Sequence, residues 1–393
     1  MVEFKSKKYL HFDNSMEYDD VKNYVENPKK IQMHSFFPLI QYVNSFDKYE
    51  QEDKTIERKE RPIKTKSRTI MYASHLDSYI YTFYGRRLNA LYNTCAIKNG
   101  IDDCAIAYRD NKSSKCNIDF AAELIHNICE MEESFIMVGD YKTFFDTLDH
   151  ANLKTRMKET LVTDELDLDW YQIYKSVTKY RYIEKSLLNE KIGTDGEIKE
   201  FIKNRIRSRL ENGVKERVKW SYFQTYKEVR EFIEKNGVKY NQQKFGIPQG
   251  TPISAVFANV YMIDLDKKIQ ELVMNNHGIY RRYSDDFIIA IPKKSLATVE
   301  DFKFVQSEII DLINESGLTL QADKTKVYEF CNKEIYDLEI NKRASIDYLG
   351  FVFDGKNVLM RQKSPYKFYR KAYQLIEIAK NKSRAKGLKK TSI

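Results

Sequence analysis

The order of apolar segments predicts an α+β protein built on an antiparallel sheet, with helices on one face. Two observations carry this expectation. A short apolar strand, Phe135–Val138, ends at Asp140, and an apolar hairpin, Ile279–Tyr283 with Phe287–Ile291, follows much later in the chain. Helix-period segments separate them, so the order reads strand, helix, strand, strand, helix, strand, as in a split βαβ sheet.

Each element has its own signal. Residues 1–60 are polar and aromatic apart from the apolar Phe36–Val43. Residues 68–93 begin extended and then take helical spacing, with Ile80, Tyr84, Leu88 and Leu91 three or four apart. The span 117–131 reads as a helix with Ile118, Ala121, Ile125 and Cys129 on one face. Residues 163–240 are long, charged and mostly helical in pattern, with twelve basic and seven acidic residues between 197 and 239. A helix is expected over Val256–Leu272, after a glycine-bearing turn. Ser284, Asp285 and Asp286 form the bend of the hairpin. A helix near 301–315 precedes Leu318–Leu320, and a second extended pair is expected near Asp347–Phe353.

The chain has 393 residues, 42% hydrophobic and 31% charged, an ordinary globular mixture with length for two or three lobes. Its 14 glycines and 7 prolines mark no long flexible linker. Six histidines are scattered, and the five cysteines form no CxxC pair, which argues against a zinc site or a disulfide scaffold. A reducing cytoplasm is the expected setting. The start, MVEFKSKKYL, has no signal-peptide pattern, and Phe287–Ile291 is far too short to cross a bilayer, so no membrane association is expected.

The net charge is +9, and its distribution is uneven. Residues 356–393 hold twelve Lys/Arg and one acid, Glu377, leaving 54 basic and 56 acidic residues elsewhere. Such a tail is either a solubilising segment or a grip on a polyanion. Its aromatics Tyr366, Phe368, Tyr369 and Tyr373 interleave with Lys363, Lys367, Arg370 and Lys371, as a helix following a duplex backbone would need.

Three carboxylates stand at strand ends or bends: Asp140, Asp285 and Asp286. Adjacent aspartates repel, which raises one pKa unless a cation neutralises both. Magnesium suits them, being a hard ion that takes oxygen ligands and substrate phosphate. Brought beside Asp140 by an antiparallel sheet, the pair would form a two-metal site. Alone, Asp285-Asp286 would be read as a polar turn.

The neighbouring strings carry a resemblance. SRTIMYASHLDSYIYTFY, VGDYKTFFDTLDH, GIPQGTPISAVFANVYMIDLD, YRRYSDDF, ESGLTLQADKTKV and YLGFVF resemble, in order, the successive blocks of reverse transcriptases across about residues 61–370. The resemblance implies a right-hand polymerase. An N-terminal segment and fingers would span 1–134, the palm 135–160 and 245–355, a charged helical insertion connecting fingers and palm 161–244, and a short basic thumb 356–393. It implies catalysis by Asp140, Asp285 and Asp286. Two magnesium ions, with manganese as a substitute, would be held at Asp140, Tyr141, Asp285 and Asp286.

By the same resemblance, Lys66, Arg68, Phe145, Gln249 and Lys324 would contact the nucleotide. Lys64 stands beside Lys66 on that segment. Phe145 looks like the gate that excludes a 2′-hydroxyl, with one of Phe144 and Phe145 expected in the core. Lys324 would give a proton to pyrophosphate or pair with an acid. The glycines of GIPQG would let backbone approach a base pair, and Ser254, Ala258 and Asn259 would allow tight helix packing. Arg109, Tyr283, Gly350, Lys363, Lys367 and Arg370 would contact nucleic acid. For Tyr108-Arg109 the alternative is a buried tyrosine beside a surface arginine.

YASHLDSYIYTFY, AYRDNKSSK and DWYQIYKSVTKYRYI look most like prokaryotic abortive-infection and defence-associated reverse transcriptases. Retron and group II intron enzymes are more distant. This implies copying of an RNA, a dedicated noncoding RNA, from deoxynucleoside triphosphates into DNA as an antiphage response. Untemplated or protein-primed synthesis is the alternative, and a non-catalytic nucleic-acid-binding subunit the third reading. A partner RNA or protein would complete the grip that the short thumb leaves open, and the expected partners include another protein or further copies of the chain in a homo-oligomer.

Charge reversal of Lys363, Lys367 and Arg370 is expected to weaken RNA binding. It should also lower the slope of log affinity against log salt by about 0.7–0.9 per lost phosphate contact. Titrations at several salt concentrations measure it, and an unchanged slope returns the tail to a solubilising role.

Overall fold

In the computed structural model, which describes residues 4, 7, 9–49, 63–112, 114–193, 196–198, 200–204, 220–296 and 298–385, the strands follow the apolar pattern. In chain order they are β1 (Leu39–Tyr49), β2 (Ile63–Tyr72), β3 (Ser134–Asp140), β4 (Arg181–Glu184), β5 (Lys239–Tyr240), β6 (Ile279–Tyr283) and β7 (Asp286–Pro292). Then come β8 (Lys326–Cys331), β9 (Glu334–Asp337), β10 (Lys342–Arg343), β11 (Ile346–Tyr348), β12 (Phe351–Phe353) and β13 (Val358–Met360). The chain divides into two units. One comprises Met1–Asp102, Lys142–Lys267 and Asn314–Thr319, the other Asp103–Tyr141, Lys268–Ile313 and Leu320–Ile393.

In the first unit, β2-β1-β4-β5 form a mixed sheet, with β1 and β2 as a long antiparallel ribbon. Leu10, Phe12, Ile40, Ile183, Leu188, Tyr222, Phe223 and Val229 make its core. The helix His75–Lys98 starts where the sequence turns from extended to helical. The Ser74 hydroxyl accepts the Asp77 N–H. The carboxylate of Asp13 accepts the His75 and Leu76 N–H groups, each at 2.9 Å. These bonds satisfy donors that the first helical turn leaves open. Ile80, Tyr84 and Leu88 are buried as expected, but Leu91 borders an open groove with Cys95 and Lys98 and is exposed.

Residues 163–240 contain the helices Leu168–Thr178, Lys185–Glu190 and Tyr226–Asn236 with β4 and β5, while 205–219 lie outside the described residues. The expected helix over Val256–Leu272 is instead two, Ser254–Tyr261 and Ile263–Asn275. The break is one tightened turn, the Met262 N–H donating to the Asn259 carbonyl three residues back.

Among the described residues of the second unit, a six-stranded sheet runs β10-β9-β8-β3-β7-β6. Its inner order, β8-β3-β7-β6, is that of a split βαβ sheet, and all its pairings are antiparallel. The α+β expectation holds; two details of it do not. The fourth strand is β8, not Leu318–Leu320. Leu320 makes only an isolated bridge to Tyr141, because the chain turns at Gln321, whose N–H bonds the Asp140 carbonyl. Helices cover both faces rather than one. Ala121, Leu124 and Ile128 cluster with Ile136, Ile288 and Ala290. On the other face Phe135 stacks on Phe302 of the helix Val299–Glu315.

The helix Asn117–Glu130 buries Phe120, Ala121, Leu124 and Ile128, while Ile118 and Cys129 are exposed. Its face is rotated by about one position from that expected, because the bulkier Phe120–Leu124 pair takes the core. A small antiparallel sheet of β11, β12 and β13 joins the same cluster.

Gly139 faces Phe287 across β3 and β7, and a Cβ there would lie 2.4 Å from the ring. Gly139→Val is therefore expected to cost about 1–3 kcal/mol through overpacking. Urea unfolding measures it, and a Phe287→Leu partner should recover part of the loss.

Candidate active site

Strand register brings the carboxylates together. Asp140 is the last residue of β3 and lies directly opposite Asp286, the first of β7. Residues opposed in this way sit on one face with their Cβ atoms about 4.5–5.5 Å apart. The bend is tighter than expected, because Tyr283 pairs with Asp286. Only Ser284 and Asp285 form the turn, and Asp286 belongs to the strand. Ser284 takes a left-handed φ of 62°. The Tyr141 N–H donates to the Asp285 carbonyl at 3.0 Å and ties the turn to the end of β3.

The electrostatics match the crowding. Burial, a hydrogen bond with Asp140 and the charges of Asp285 and Asp140 push the Asp286 carboxyl well above the usual carboxylate range. Lys324 opposes this. Its Nζ lies 2.7 Å from Asp140 Oδ2, so the acid pairing foreseen for Lys324 is present. Among the described residues no three acidic, histidine or cysteine side chains are already drawn around one point. The donor set nonetheless fits magnesium: all oxygens, with like charges that a hard dication relieves. Asp140, Asp285 and Asp286 would hold it once the Lys324 ammonium cedes Asp140. Tyr141 is buried, with its ring 5.4 Å from that of Phe287.

Other expected contacts of the second unit are distributed as follows. Tyr283 is half-buried beside the exposed Tyr108, their rings 6.2 Å apart. The alternative expected for Tyr108-Arg109 is reversed: Tyr108 is at the surface, and Arg109 is 6% exposed, donating to the Ala105 carbonyl at 2.9 Å. A guanidinium so placed supports the 105–109 segment and does not present itself to nucleic acid. Gly350 (φ 97°) and Leu349 (φ 47°) form the two-residue turn between β11 and β12. Both angles are positive, as in a type I′ hairpin turn. Lys363, Lys367 and Arg370 are exposed on the helix Lys363–Ala385. At about 100° per residue they share one arc with Lys371. Tyr366, Phe368, Tyr369, Tyr373, Leu375 and Ile376 occupy the rest and are also exposed.

The first unit holds the other nucleotide candidates. Lys66 and Arg68 are exposed on β2, opposite Phe46 and Asn44, while the side chain of Lys64 lies outside the described residues. Phe144 is the core member of its pair and Phe145 is half-buried against it, ring centroids 5.5 Å apart. The Phe145 carbonyl accepts the Ile247 N–H at 2.8 Å, which ties the loop to the glycine block. Gln249 is half-buried, and its carbonyl accepts the Met71 N–H. Gly250, at φ 115°, leaves no room for a Cβ, which would lie 2.6 Å from the Met71 carbonyl. The close approach that this glycine permits within the first unit is to β2. Ser254, Ala258 and Asn259 are buried, as tight packing requires.

One supporting residue was not foreseen. Arg282 is fully buried, and its guanidinium donates to the Ser284 carbonyl at 3.0 Å. Its only trace in the sequence is a pair of arginines, Arg281 and Arg282, inside the hairpin arm, separated from the two aspartates by Tyr283 and Ser284.

The family model for reverse transcriptase (RNA-dependent DNA polymerase) matches residues 79–353. Among solved structures, the chain is similar to apo telomerase from Candida tropicalis truncated of its C-terminal domain. The TM-score is 0.47 at 11% identity, over 88% of this chain and 61% of that one. It is also similar to Candida albicans telomerase in complex with a fragment of telomeric RNA, with a TM-score of 0.45 at 14% identity over 88% and 49%. The chain thus spans about half to three fifths of the length of those proteins.

Asp285→Ala and Asp286→Ala are each expected to weaken divalent-metal binding while leaving the melting temperature unchanged or raised, because each removes like charge from a crowded cluster. Manganese titration followed by electron paramagnetic resonance, together with thermal unfolding, separates the two effects.

Proposed function

The chain belongs to the reverse transcriptase family, and on that premise we propose that it is an RNA-directed DNA polymerase whose catalytic acids are Asp140, Asp285 and Asp286. The observation that carries this reading is the pairing of Asp140 with Asp286 across β3 and β7, with Asp285 in the turn between. The six-stranded sheet is read as the palm, the first 134 residues as N-terminal segment and fingers, and the Lys363–Ala385 helix as the thumb.

When bound, divalent magnesium would supply charge neutralisation and activation of a primer 3′-hydroxyl. The protein's own part is orientation. Asp140 and Asp286 are fixed by the strand ladder, and Asp285 by the hydrogen bond from Tyr141 to its carbonyl. Lys324, released from Asp140, would be free to give a proton to the pyrophosphate oxygen. In the first unit Lys66 and Arg68 would offset triphosphate charge, and Phe145 would lie against the sugar, selecting deoxynucleotides. Gln249 would stand beside the nucleotide, while Tyr283, Gly350 and the cations of the last helix would follow the nucleic acid.

The template is proposed to be a dedicated noncoding RNA and the setting cytoplasmic antiphage defence. This rests on the likeness of YASHLDSYIYTFY, AYRDNKSSK and DWYQIYKSVTKYRYI to defence-associated enzymes. Sequencing the nucleic acid that copurifies with the protein tests it: one enriched RNA supports the proposal, and a random mixture overturns it.

With magnesium and deoxynucleotides the protein is expected to extend a primer on RNA, or on its copurified RNA. Product without template, or product linked to protein, would favour untemplated or protein-primed synthesis; no product in any format removes the polymerase reading. Phe145→Ala should raise ribonucleotide incorporation about tenfold or more. Unchanged discrimination would take the gate away from Phe145.

A further inference from the structure

We propose that Arg282 is a positioning residue for the metal site, presetting the Ser284-Asp285 turn before any cation binds. The inference rests on the proposed function only in taking Asp285 and Asp286 as metal ligands.

Among the described residues Arg282 is the largest fully buried side chain, and its place is unusual. It lies on β6, the edge strand of the six-stranded sheet, next to the turn. Both of its backbone groups are engaged on the outer edge. Its N–H donates to the Cys104 carbonyl at 2.7 Å, and its carbonyl accepts the Ile106 N–H at 3.0 Å. The 104–106 segment thereby closes the sheet edge over the arginine, and Arg109 braces that segment through the Ala105 carbonyl. With the backbone held from outside, the Arg282 guanidinium reaches forward along its own strand to the Ser284 carbonyl.

That carbonyl belongs to the one residue of the turn in the left-handed region, where a serine without support is strained. Ser284 is itself 5% exposed, so water does not replace the donor. A charged donor to a buried carbonyl is among the stronger hydrogen bonds available. The next carbonyl, that of Asp285, is held from the other side by the Tyr141 N–H. Consecutive peptide groups of the turn are thus fixed from two directions, one bond coming from β6 and one from the end of β3. Carboxylates on a backbone so held cannot be carried apart by the turn when repulsion between them rises. Groups that orient ligands in this way typically contribute about 10–100-fold in metal affinity.

The test is manganese binding to the full chain, measured by electron paramagnetic resonance without nucleotide or primer. Arg282→Met and Arg282→Lys are expected to weaken binding roughly 10–100-fold. Adding Ser284→Gly to Arg282→Met should restore part of the loss, because glycine takes a positive φ without support. A folded Arg282→Met protein that binds manganese as tightly as the wild type overturns the proposal, as does a lowered melting temperature with unchanged affinity.

Should the arginine variants fail to fold, amide exchange on the unmodified protein decides. The Tyr141 N–H is expected to be protected without manganese as well as with it, and rapid exchange in the metal-free protein overturns presetting. Asp285→Ala separates this inference from the broader reading. If that variant binds manganese normally, the metal assignment itself fails. If it loses binding while the arginine variants keep theirs, only the role of Arg282 falls.

Discussion

The register between β3 and β7 is the constraint on which the rest of the site depends. Side chains alternate faces along a strand, so a slip by one residue would replace Asp286 by Phe287 or Asp285 opposite Asp140. The packing pins the register with a size match. Gly139 has no side chain, and the Phe287 ring fills the space it leaves. Two hydrogen bonds continue the lock beyond the ladder, from Tyr141 to the Asp285 carbonyl and from Gln321 to the Asp140 carbonyl. An apolar fit inside the sheet thereby sets where charge appears at its end.

That charge is costly in isolation, and the protein offsets it locally. Burial, a hydrogen bond with Asp140 and the charges of Asp285 and Asp140 raise the proton affinity of Asp286. Lys324 supplies one compensating charge, at Asp140. A chain needing only a polar turn could have placed asparagine or glycine there at less electrostatic cost. Three carboxylates kept where they repel are what the proposed cation site requires.

Much of this was legible in the sequence because it is local. The apolar arms of the hairpin, the strand ending at Asp140 and the helix at 301–315 have short-range periodicity that the fold keeps. What was misread depends on tertiary contacts. Both stripes of the helix Asn117–Glu130 are apolar, and only the side facing Ile136 and Ile288 decides which is buried. Tyr108 and Arg109 reverse the environments that the alternative reading gave them, because a backbone carbonyl, that of Ala105, gives the arginine a buried partner. Composition carries no trace of such an acceptor. Gly250 was legible as a glycine required by close approach, but not as one that approaches β2. Leu318–Leu320 has the composition of a strand, and it was the bond from Gln321 to Asp140 that turned the chain away. In the candidate site, the three aspartates were readable from type and order. The arginine behind them was not, since an arginine in a strand usually signals an edge exposed to water.

The ion pair between Lys324 and Asp140 bears on the order of events in the life of the molecule. A cluster that had to wait for its metal before its charges balanced would make folding and cofactor acquisition a single step, as in small zinc modules. Here a tethered ammonium already stands in the place of part of that charge. On the proposed function, maturation would therefore run in two stages, the chain reaching its native state first and taking up its ions afterwards.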